Sequence, residues 1–289
     1  MNWGRMHSPC MSHAAPVPDL ADHTAPAAGP ARDNAIRIAG LAKEFPTASG
    51  DVVKALAGVD LDVKEGEFVS IVGPSGCGKS TLLKIVAGLV APTRGQVEVG
   101  GTQVRGTRRD VGVVFQSPLL LPWRTVRENA LLPIDLQGRS RASYEPVVDK
   151  LLRLVGLHDF ADKYPYELSG GMQQRAAIMR ALVDQPKLLL MDEPFGALDA
   201  MMREHMNAEL QRIWLERRNT VLFITHSIPE AVFLSDRVVA MSPRPGRLSE
   251  IVTIDLPRPR NIDITGSDAF GKYAARIRSH FNLGAGADL

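Results

Sequence analysis

The feature that most constrains the fold of this chain is a glycine-rich loop between a predicted strand and a predicted helix. Residues 73–80, Gly-Pro-Ser-Gly-Cys-Gly-Lys-Ser, fit the pattern G-x-x-x-x-G-K-[ST]. The mostly apolar residues 67–72 predict the strand before the loop, and residues 80–89 predict the helix after it. A loop in this setting predicts an α/β fold with a phosphate site at the N-terminus of the helix.

The residue types of the loop fit phosphate chemistry. Glycines allow successive backbone N–H groups to curve around phosphate oxygens, and the helix N-terminus adds partial positive charge. We expect Lys79 to reach the β- and γ-phosphates and the Ser80 hydroxyl to bind Mg²⁺. The rest of the loop is expected to line the nucleotide: Gly73, Pro74, Ser75, Gly76, Cys77 and Gly78.

Cys77 stands at a position that the loop pattern leaves free. A small side chain without a catalytic role is the favoured interpretation. A thiol near a helix N-terminus can be unusually reactive, so we also predict that alkylation of Cys77 blocks nucleotide binding and that ATP protects it.

A second predicted strand ends in two acidic residues. Residues 187–191, Lys-Leu-Leu-Leu-Met, are followed by Asp192 and Glu193. An aspartate at the carboxyl end of a buried strand is placed to hold Mg²⁺, directly or through water. Glu193 is placed one residue later, where it could act as general base on the attacking water.

A second predicted anion site lies in residues 168–175, Leu-Ser-Gly-Gly-Met-Gln-Gln-Arg. Ser169 is a natural N-cap, and the residues after the two glycines are strong helix formers. One nucleotide hardly needs two helix N-termini from the same subunit. We therefore expect this site to serve the γ-phosphate of a nucleotide held by a partner.

Composition limits the remaining classes of protein. The 289 residues allow one domain or two small ones, and the net charge of +2 gives no reason to propose a nucleic-acid partner. Two cysteines cannot form a disulfide framework and fit a reducing compartment. No apolar run approaches the roughly 18 residues of a membrane helix, so any membrane role must come through a partner. Residues 1–34, rich in proline and alanine, are expected to be a disordered tail.

Residues 168–175 resemble the signature motif of the ATP-binding-cassette (ABC) ATPases. The order of motifs over residues 35–260 is similar to that family throughout. By this resemblance, Phe45 is the adenine-stacking aromatic, residues 73–80 are the phosphate loop, and Gln116 is the Q-loop glutamine. The signature is followed by the acidic strand 188–192 and the catalytic glutamate Glu193. Residues 197–199, with Asp199, match the interface-crossing loop, and His226 matches the switch histidine.

The resemblance implies a nucleotide-driven clamp of two chains arranged head to tail. It implies ATP and Mg²⁺ as ligands, with the metal held by Ser80, Gln116 and Asp192. One chain would hold ATP through Lys79, Ser80, Thr81, Gln116 and Asp192, and Ser169, Gly170 and Gly171 of the other would close over the γ-phosphate. Glu193 would activate water, and His226 would contact the γ-phosphate.

The fold expected from this resemblance is an α/β P-loop NTPase with a mixed central sheet, an antiparallel β subdomain and an inserted helical subdomain at about residues 117–180. Val148, Leu151, Leu152 and Val155 form an apolar stripe that predicts a helix in this insertion. Residues 261–289 would be a short extension with a helix near residues 273–278. The 90 residues from Lys79 to Ser169 leave no room for a long coiled coil, which argues against DNA-repair relatives.

Three segments, residues 121–129, 191–199 and 241–247, resemble the ATPase subunits of nitrate/sulfonate/taurine-type importers. That resemblance implies a second ATPase subunit, integral-membrane permease subunits and an extracytoplasmic solute-binding protein, without nucleic acid. It places the chain at the cytoplasmic face of the inner membrane. An exporter ATPase and a soluble ABC ATPase without a transport role remain alternatives.

Several of these residues also have a purely structural interpretation. Phe45 could be a core residue, His226 could be structural, and Asp199 could simply cap the next helix. Arg175 is more readily a support for the signature helix than a contact to ATP.

Overall fold

The computed structural model describes residues 34–282, and side chains through residue 281. The predicted tail, residues 1–34, lies outside the described residues except for Asn34, which opens the first strand. Within the described range, no helix combines the length and the apolar character needed to span a bilayer.

The first sheet is antiparallel and begins with a long hairpin. It contains β1 (Asn34–Pro46), β2 (Val52–Lys64), β4 (Arg94–Val99) and β5 (Thr102–Gln103), in the order β2-β1-β4-β5. Gly58 is the extra residue of a bulge, because Leu41 pairs with Val59 and Ala42 with Ala57.

The first strand continues through a proline up to the hairpin turn. Phe45 and Pro46 are the last residues of β1 and pair with Val53 and Val52. Proline is tolerated there because pairing of β1 with β4 ends at Ala42, so no neighbouring strand requires the missing N–H. The chain reverses over residues 47–51.

The second sheet is the mixed central sheet that the sequence predicts. Its strands are β3 (Phe68–Val72), β6 (Val111–Val114), β7 (Leu188–Asp192), β8 (Thr220–Ile224), β9 (Arg237–Met241) and β10 (Leu248–Thr253), in the order β10-β9-β3-β8-β7-β6. All pairs are parallel except the antiparallel edge pair β9–β10. β3, β7 and β8 are buried along their whole length, as strands covered on both faces must be.

Eight α-helices occur within the described residues. They are α1 (Lys79–Val86), α2 (Val126–Ala130), α3 (Leu132–Leu136), α4 (Glu145–Leu154), α5 (Gly170–Leu182), α6 (Ala200–Arg217), α7 (Ile228–Leu234) and α8 (Asp268–Asn282). α2 to α5 fill the interval between β6 and β7, as expected for an inserted helical segment. Val148, Leu151 and Leu152 are buried on α4, and Val155 just after it, so the predicted stripe is confirmed.

Two helix boundaries differ from the predictions. α1 ends at Val86 rather than Leu89, because the chain turns at Gly88 with a φ of 73°. A Cβ at Gly88 would lie 2.0 Å from the Gly106 carbonyl oxygen, so this close approach admits no side chain. α8 is longer than the predicted residues 273–278, since Phe270 and Ile277 both anchor it in the core.

The core lies on both faces of the central sheet. One cluster joins the sheet to the helical segment and contains Phe68, Trp214 and Phe223, with Phe68 and Trp214 in edge contact at 5.8 Å. The other lies between the antiparallel sheet, the central sheet and α1. Because the neighbouring strands β3, β8, β7 and β6 are parallel, their carboxyl ends lie at the same edge of the sheet, where the predicted site residues lie.

Candidate active site

The phosphate loop connects β3 to α1 and depends on glycine conformations. Gly76 and Gly78 have φ values of 74° and 106°, in the left-handed region that favours glycine. A Cβ at Gly78 would also lie 2.8 Å from the Ala55 carbonyl oxygen. The Lys79 ammonium donates to the carbonyl oxygens of Gly73, at 2.7 Å, and Pro74, at 3.0 Å, which holds the positive charge over the loop.

Cys77 faces into the protein. Its side chain is buried, and a Cβ at Gly73 would lie 2.9 Å from the Cys77 Sγ. The clash limits the side chain at Gly73, and the burial of Cys77 agrees with the favoured interpretation of a small side chain there. Alkylation of this thiol requires the loop to open.

Ser80 and Asp192 form the next part of the site. Asp192 ends β7, is 4% exposed, and accepts a hydrogen bond of 3.0 Å from the Ser80 hydroxyl. Burial raises the pKa of Asp192 against the effect of the Ser80 hydrogen bond, and the neighbouring Glu193 charge raises it further. A bound cation would stabilise the charged form of this buried carboxylate.

The donor set fits Mg²⁺ that arrives with a nucleotide. Mg²⁺ prefers oxygen ligands and is usually bound by one or two protein groups together with phosphates and waters. Ser80 and Asp192 offer a hydroxyl and a carboxylate side by side. No group of three or more His, Cys, Asp or Glu side chains suited to a metal occurs within residues 34–282, so the described part of the chain offers no all-protein cage.

Glu193 lies between the predicted glutamine and histidine. Gln116 Nε2 donates to Glu193 Oε2 at 3.3 Å, and His226 Nδ1 lies 3.3 Å from the same oxygen. The three residues follow β6, β7 and β8, which are neighbours in the sheet, so the topology brings them together. Glu193 has a φ of 46°, an uncommon conformation for a residue with a side chain, and its N–H donates to the Ile224 carbonyl.

The signature segment and Asp199 both stand at helix N-termini. Ser169 caps α5 by accepting a bond from the Met172 N–H, and Gly170 and Gly171 form the first turn. Asp199 caps α6 by accepting from the Met202 N–H at 2.9 Å. Both predicted caps are thus present.

The remaining predicted residues lie close to these elements. Phe45 is 38% exposed and carries the Lys43 ammonium 4.8 Å above its ring, so the core interpretation of Phe45 is wrong. Thr81 follows Ser80 in the first turn of α1. Arg175 donates to the Val155 carbonyl at 2.6 Å and so supports the helical segment, as predicted.

The hairpin loop after β9 was missed as part of the site. Arg244 Nε donates to the Gly76 carbonyl at 3.3 Å, and Gly246 exchanges backbone hydrogen bonds with Ala55 and Ala57. A Cβ at Gly246 would lie 2.0 Å from the Cys77 carbonyl oxygen. The sequence marks residues 241–247 only by their resemblance, and Gly246 is the one signal there of a close backbone approach.

The chain matches a known protein family and several of its members. The family model described as "ABC transporter" matches residues 56–196. An uncharacterized ABC transporter ATP-binding protein of Methanocaldococcus jannaschii is 50% identical over 226 residues, which cover 78% of this chain and 84% of the relative. The chain belongs to the ABC transporter ATP-binding proteins. As a member of this family it binds ATP and hydrolyses it in support of transport.

Other relatives carry more specific names. A taurine import ATP-binding protein of Jannaschia sp. is 47% identical over 213 residues, covering 74% of this chain and 80% of that protein. A bicarbonate transport ATP-binding protein of Synechococcus elongatus is 46% identical over 228 residues, covering 78% of this chain and 34% of that longer protein. The resemblance to the nitrate/sulfonate/taurine type agrees with these relatives.

The fold also has a solved counterpart. A dimeric ATP-binding cassette in a post-hydrolysis state, bound to ADP and Pi, superposes with a TM-score of 0.70 at 33% identity. The match covers 77% of this chain and 100% of the solved chain. The predicted P-loop ABC ATPase fold is confirmed.

Proposed function

We propose that this chain is the ATPase subunit of a bacterial importer for a small solute, with nitrate, an aliphatic sulfonate or taurine as the solute. The ATPase assignment depends on one observation. Gln116, Glu193 and His226 are in contact at the strand ends, beside Asp192 and the phosphate loop. Import is supported by the match to a taurine import protein over 80% of its length.

The roles of the residues follow from their chemistry. The loop N–H groups and Lys79 bind the β- and γ-phosphates. Ser80 and Asp192, with the side-chain oxygen of Gln116, hold Mg²⁺, which when bound supplies charge neutralisation at the phosphates. Glu193 orients the attacking water and accepts its proton, while His226 contacts the γ-phosphate and fixes the Glu193 carboxylate. Phe45 stacks on the adenine from the end of β1, and Thr81 adds a further contact to the nucleotide.

The active form is a head-to-tail dimer, with two copies of this chain as its subunits. Ser169, Gly170 and Gly171 of the partner copy present the open N–H groups of α5 to the γ-phosphate. Asp199 lies in the loop that crosses the interface. Support comes from the solved dimeric cassette bound to ADP and Pi, because the match covers 100% of that solved chain. Loss of the γ-phosphate opens the dimer.

Different ranges of the chain have different roles in this proposal. Residues 35–260 form the ATPase, and residues 117–180 form the helical subdomain that engages the permease. Residues 261–289 form a short extension that includes α8. A permease holds the dimer at the cytoplasmic face of the inner membrane, a solute-binding protein delivers the solute, and nucleic acid has no part.

Glu193→Gln tests the ATPase site directly. The variant keeps the shape of the side chain and its contact surface but cannot accept a proton, so it should bind ATP, accumulate as a dimer and lose turnover. Size-exclusion chromatography with ATP and a phosphate-release assay measure both effects. A variant that hydrolyses ATP at the wild-type rate removes Glu193 from this role.

A pull-down from the native host in mild detergent tests the transport role. A permease together with an exported solute-binding protein supports import. A permease without such a protein favours an exporter, and only soluble partners, after cross-linking to retain labile complexes, favour a role outside transport.

A further inference from the structure

Near the Glu193–His226 contact, two side chains form an ion pair that joins two helices. Arg203 belongs to the first turn of α6, and Glu230 belongs to α7. Arg203 Nε lies 3.5 Å from Glu230 Oε1, and the Glu230 side chain is only 7% exposed. Neither residue belongs to a motif that the sequence analysis used.

Glu230 fixes the backbone on both sides of His226. The Thr225 hydroxyl donates to Glu230 Oε2 at 2.6 Å and accepts from the Ser227 N–H at 2.9 Å. The Glu230 N–H donates to the Ser227 hydroxyl at 3.4 Å. His226 thus stands between two residues that are tied to Glu230, although the imidazole itself is exposed.

Arg203 fixes the loop that follows Glu193. Its guanidinium donates to the carbonyl oxygens of Phe195, at 3.4 Å, and Leu198, at 2.8 Å. The same loop is joined to Glu193 by a bond from the Gly196 N–H to the Glu193 carbonyl. The guanidinium therefore holds the loop between Glu193 and Asp199 in one shape.

We propose that Arg203, Glu230 and Thr225 are positioning residues for ATP hydrolysis. They hold the loop after Glu193 (residues 193–199) and the loop around His226 (residues 225–227) in fixed positions relative to each other. The proposal rests on the roles assigned above to Glu193 and His226. Because the pair joins the interface-crossing loop to the switch histidine, a shift of Asp199 at the dimer interface reaches His226 through it.

Charge supports this arrangement. Burial raises the pKa of Glu230, and the Thr225 hydrogen bond and the nearby guanidinium of Arg203 oppose this shift. A paired, hydrogen-bonded carboxylate at this depth is rigid, because its displacement would leave an uncompensated buried group. Rigidity is what a positioning role requires.

Thr225→Val is the sharpest test, because it removes only the hydroxyl and leaves Glu230 and its partner Arg203 in place. In the full-length protein we expect the kcat for ATP to fall about tenfold with KM unchanged, since misplacement of a catalytic group costs turnover rather than binding. Thr225→Ser keeps the hydroxyl and should restore most of the turnover that Thr225→Val loses. A merely structural role would lower the melting temperature without this split between kcat and KM.

Arg203→Met tests the other end of the link, and Arg212→Met is its matched control. Arg212 lies on the same helix in an exposed ion pair with Glu216 and should leave kcat unchanged. If the link acts as one unit, Arg203→Met combined with Thr225→Val loses less than the product of the two single losses.

Two results would overturn the proposal: equal kcat for Thr225→Val and Thr225→Ser, or fully multiplicative losses in the double variant. Failure of the catalytic assignment is seen separately, as wild-type turnover in Glu193→Gln.

Discussion

Glu193 holds a left-handed backbone conformation that side chains other than glycine rarely adopt. Such a conformation costs on the order of 1–3 kcal/mol and persists only where surrounding contacts enforce it. Here the Glu193 N–H is held by the Ile224 carbonyl of β8, and the following loop is held by Arg203. The carboxylate is thereby turned toward Gln116 and His226.

Gly246→Ala tests the contact between the β9 hairpin loop and the phosphate loop. The new Cβ would lie 2.0 Å from the Cys77 carbonyl oxygen, so we expect the free energy of unfolding to fall by about 2 kcal/mol. ATP affinity should fall as well, since the displaced carbonyl belongs to the phosphate loop. Urea denaturation and titration with a fluorescent ATP analogue measure the two effects.

Gly271→Ala is the control for this change. Gly271 lies within α8 with open space around its Cα, so alanine there should be neutral or stabilise the helix by roughly 0.5–1 kcal/mol. Equal stability of the two variants would contradict the tight contact at Gly246.

Alkylation of Cys77 remains a prediction, with its rate now limited by burial. We expect slow labelling by N-ethylmaleimide, loss of ATP binding once the thiol is modified, and protection by ATP, which holds the loop closed. Mass spectrometry of the Cys77 peptide follows the reaction. The same labelling rate with and without ATP would contradict this view.

At the level of residues, sequence reasoning identified the candidate side chains that occur in motifs and missed those that contact distant partners. The phosphate-loop lysine and the acidic strand end could be predicted from local pattern alone. Arg244, Arg203 and Glu230 could not, because a single charged residue in a sequence indicates only an exposed surface. Arg244 contacts Gly76 across 168 positions of the chain, a distance that local patterns do not encode.

At the level of elements, capping chemistry predicted helix starts well. Ser169 and Asp199 both accept the expected backbone N–H bonds. Helix and strand ends set by tertiary packing were less predictable. α1 ends where Gly88 meets the backbone of Gly106, and β1 continues through Pro46 because β4 has already ended.

Asp135 connects three parts of the helical segment and makes its stability depend on pH. It lies in α3 and accepts hydrogen bonds from Arg141 and Arg124. These bonds, led by that of Arg141, lower the pKa of Asp135 to about 2. The unfolded value is about 4, so the stabilisation is complete above pH 4 and is lost as the pH falls from about 4 to about 2.

Asp135→Asn should therefore lower stability by roughly 1 kcal/mol near pH 6 and flatten its fall under acid conditions. Urea denaturation between pH 6 and pH 3 checks both points. Asp159→Asn, at an exposed aspartate of the same segment, serves as the control. A parallel pH dependence in wild type and Asp135→Asn would contradict the assignment.

At the level of the whole molecule, the parallel order of the strands explains why the candidate site residues lie at one edge of the sheet. β3, β8, β7 and β6 are neighbours, and each is followed by a segment that supplies a site residue. The sequence predicts the α/β class and the mixed sheet from the phosphate loop and its resemblance. It does not predict the strand order from local pattern, since neighbours such as β3 and β8 are separated by some 150 residues.

A mixture of two inactive variants tests the head-to-tail dimer. Lys79→Ala removes phosphate binding, and Ser169→Arg blocks the signature, so neither homodimer should hydrolyse ATP. Random pairing gives half heterodimers with one complete site each, so the mixture should recover roughly a quarter of wild-type turnover. Phosphate release after mixing and reassociation measures it. No recovery would contradict pairing of this chain with itself in the proposed geometry.

Two of the three tryptophans occupy opposite environments. Trp214 is buried against Phe68 and flanked by the guanidinium groups of Arg218 and Arg258, whereas Trp123 is 70% exposed in the helical segment. Emission from Trp123 therefore lies to the red and responds to quenchers in solution, while emission from Trp214 lies to the blue and is shielded from them. The molecule thus carries its own optical reporter at the segment that would meet a permease, with an internal reference in the core.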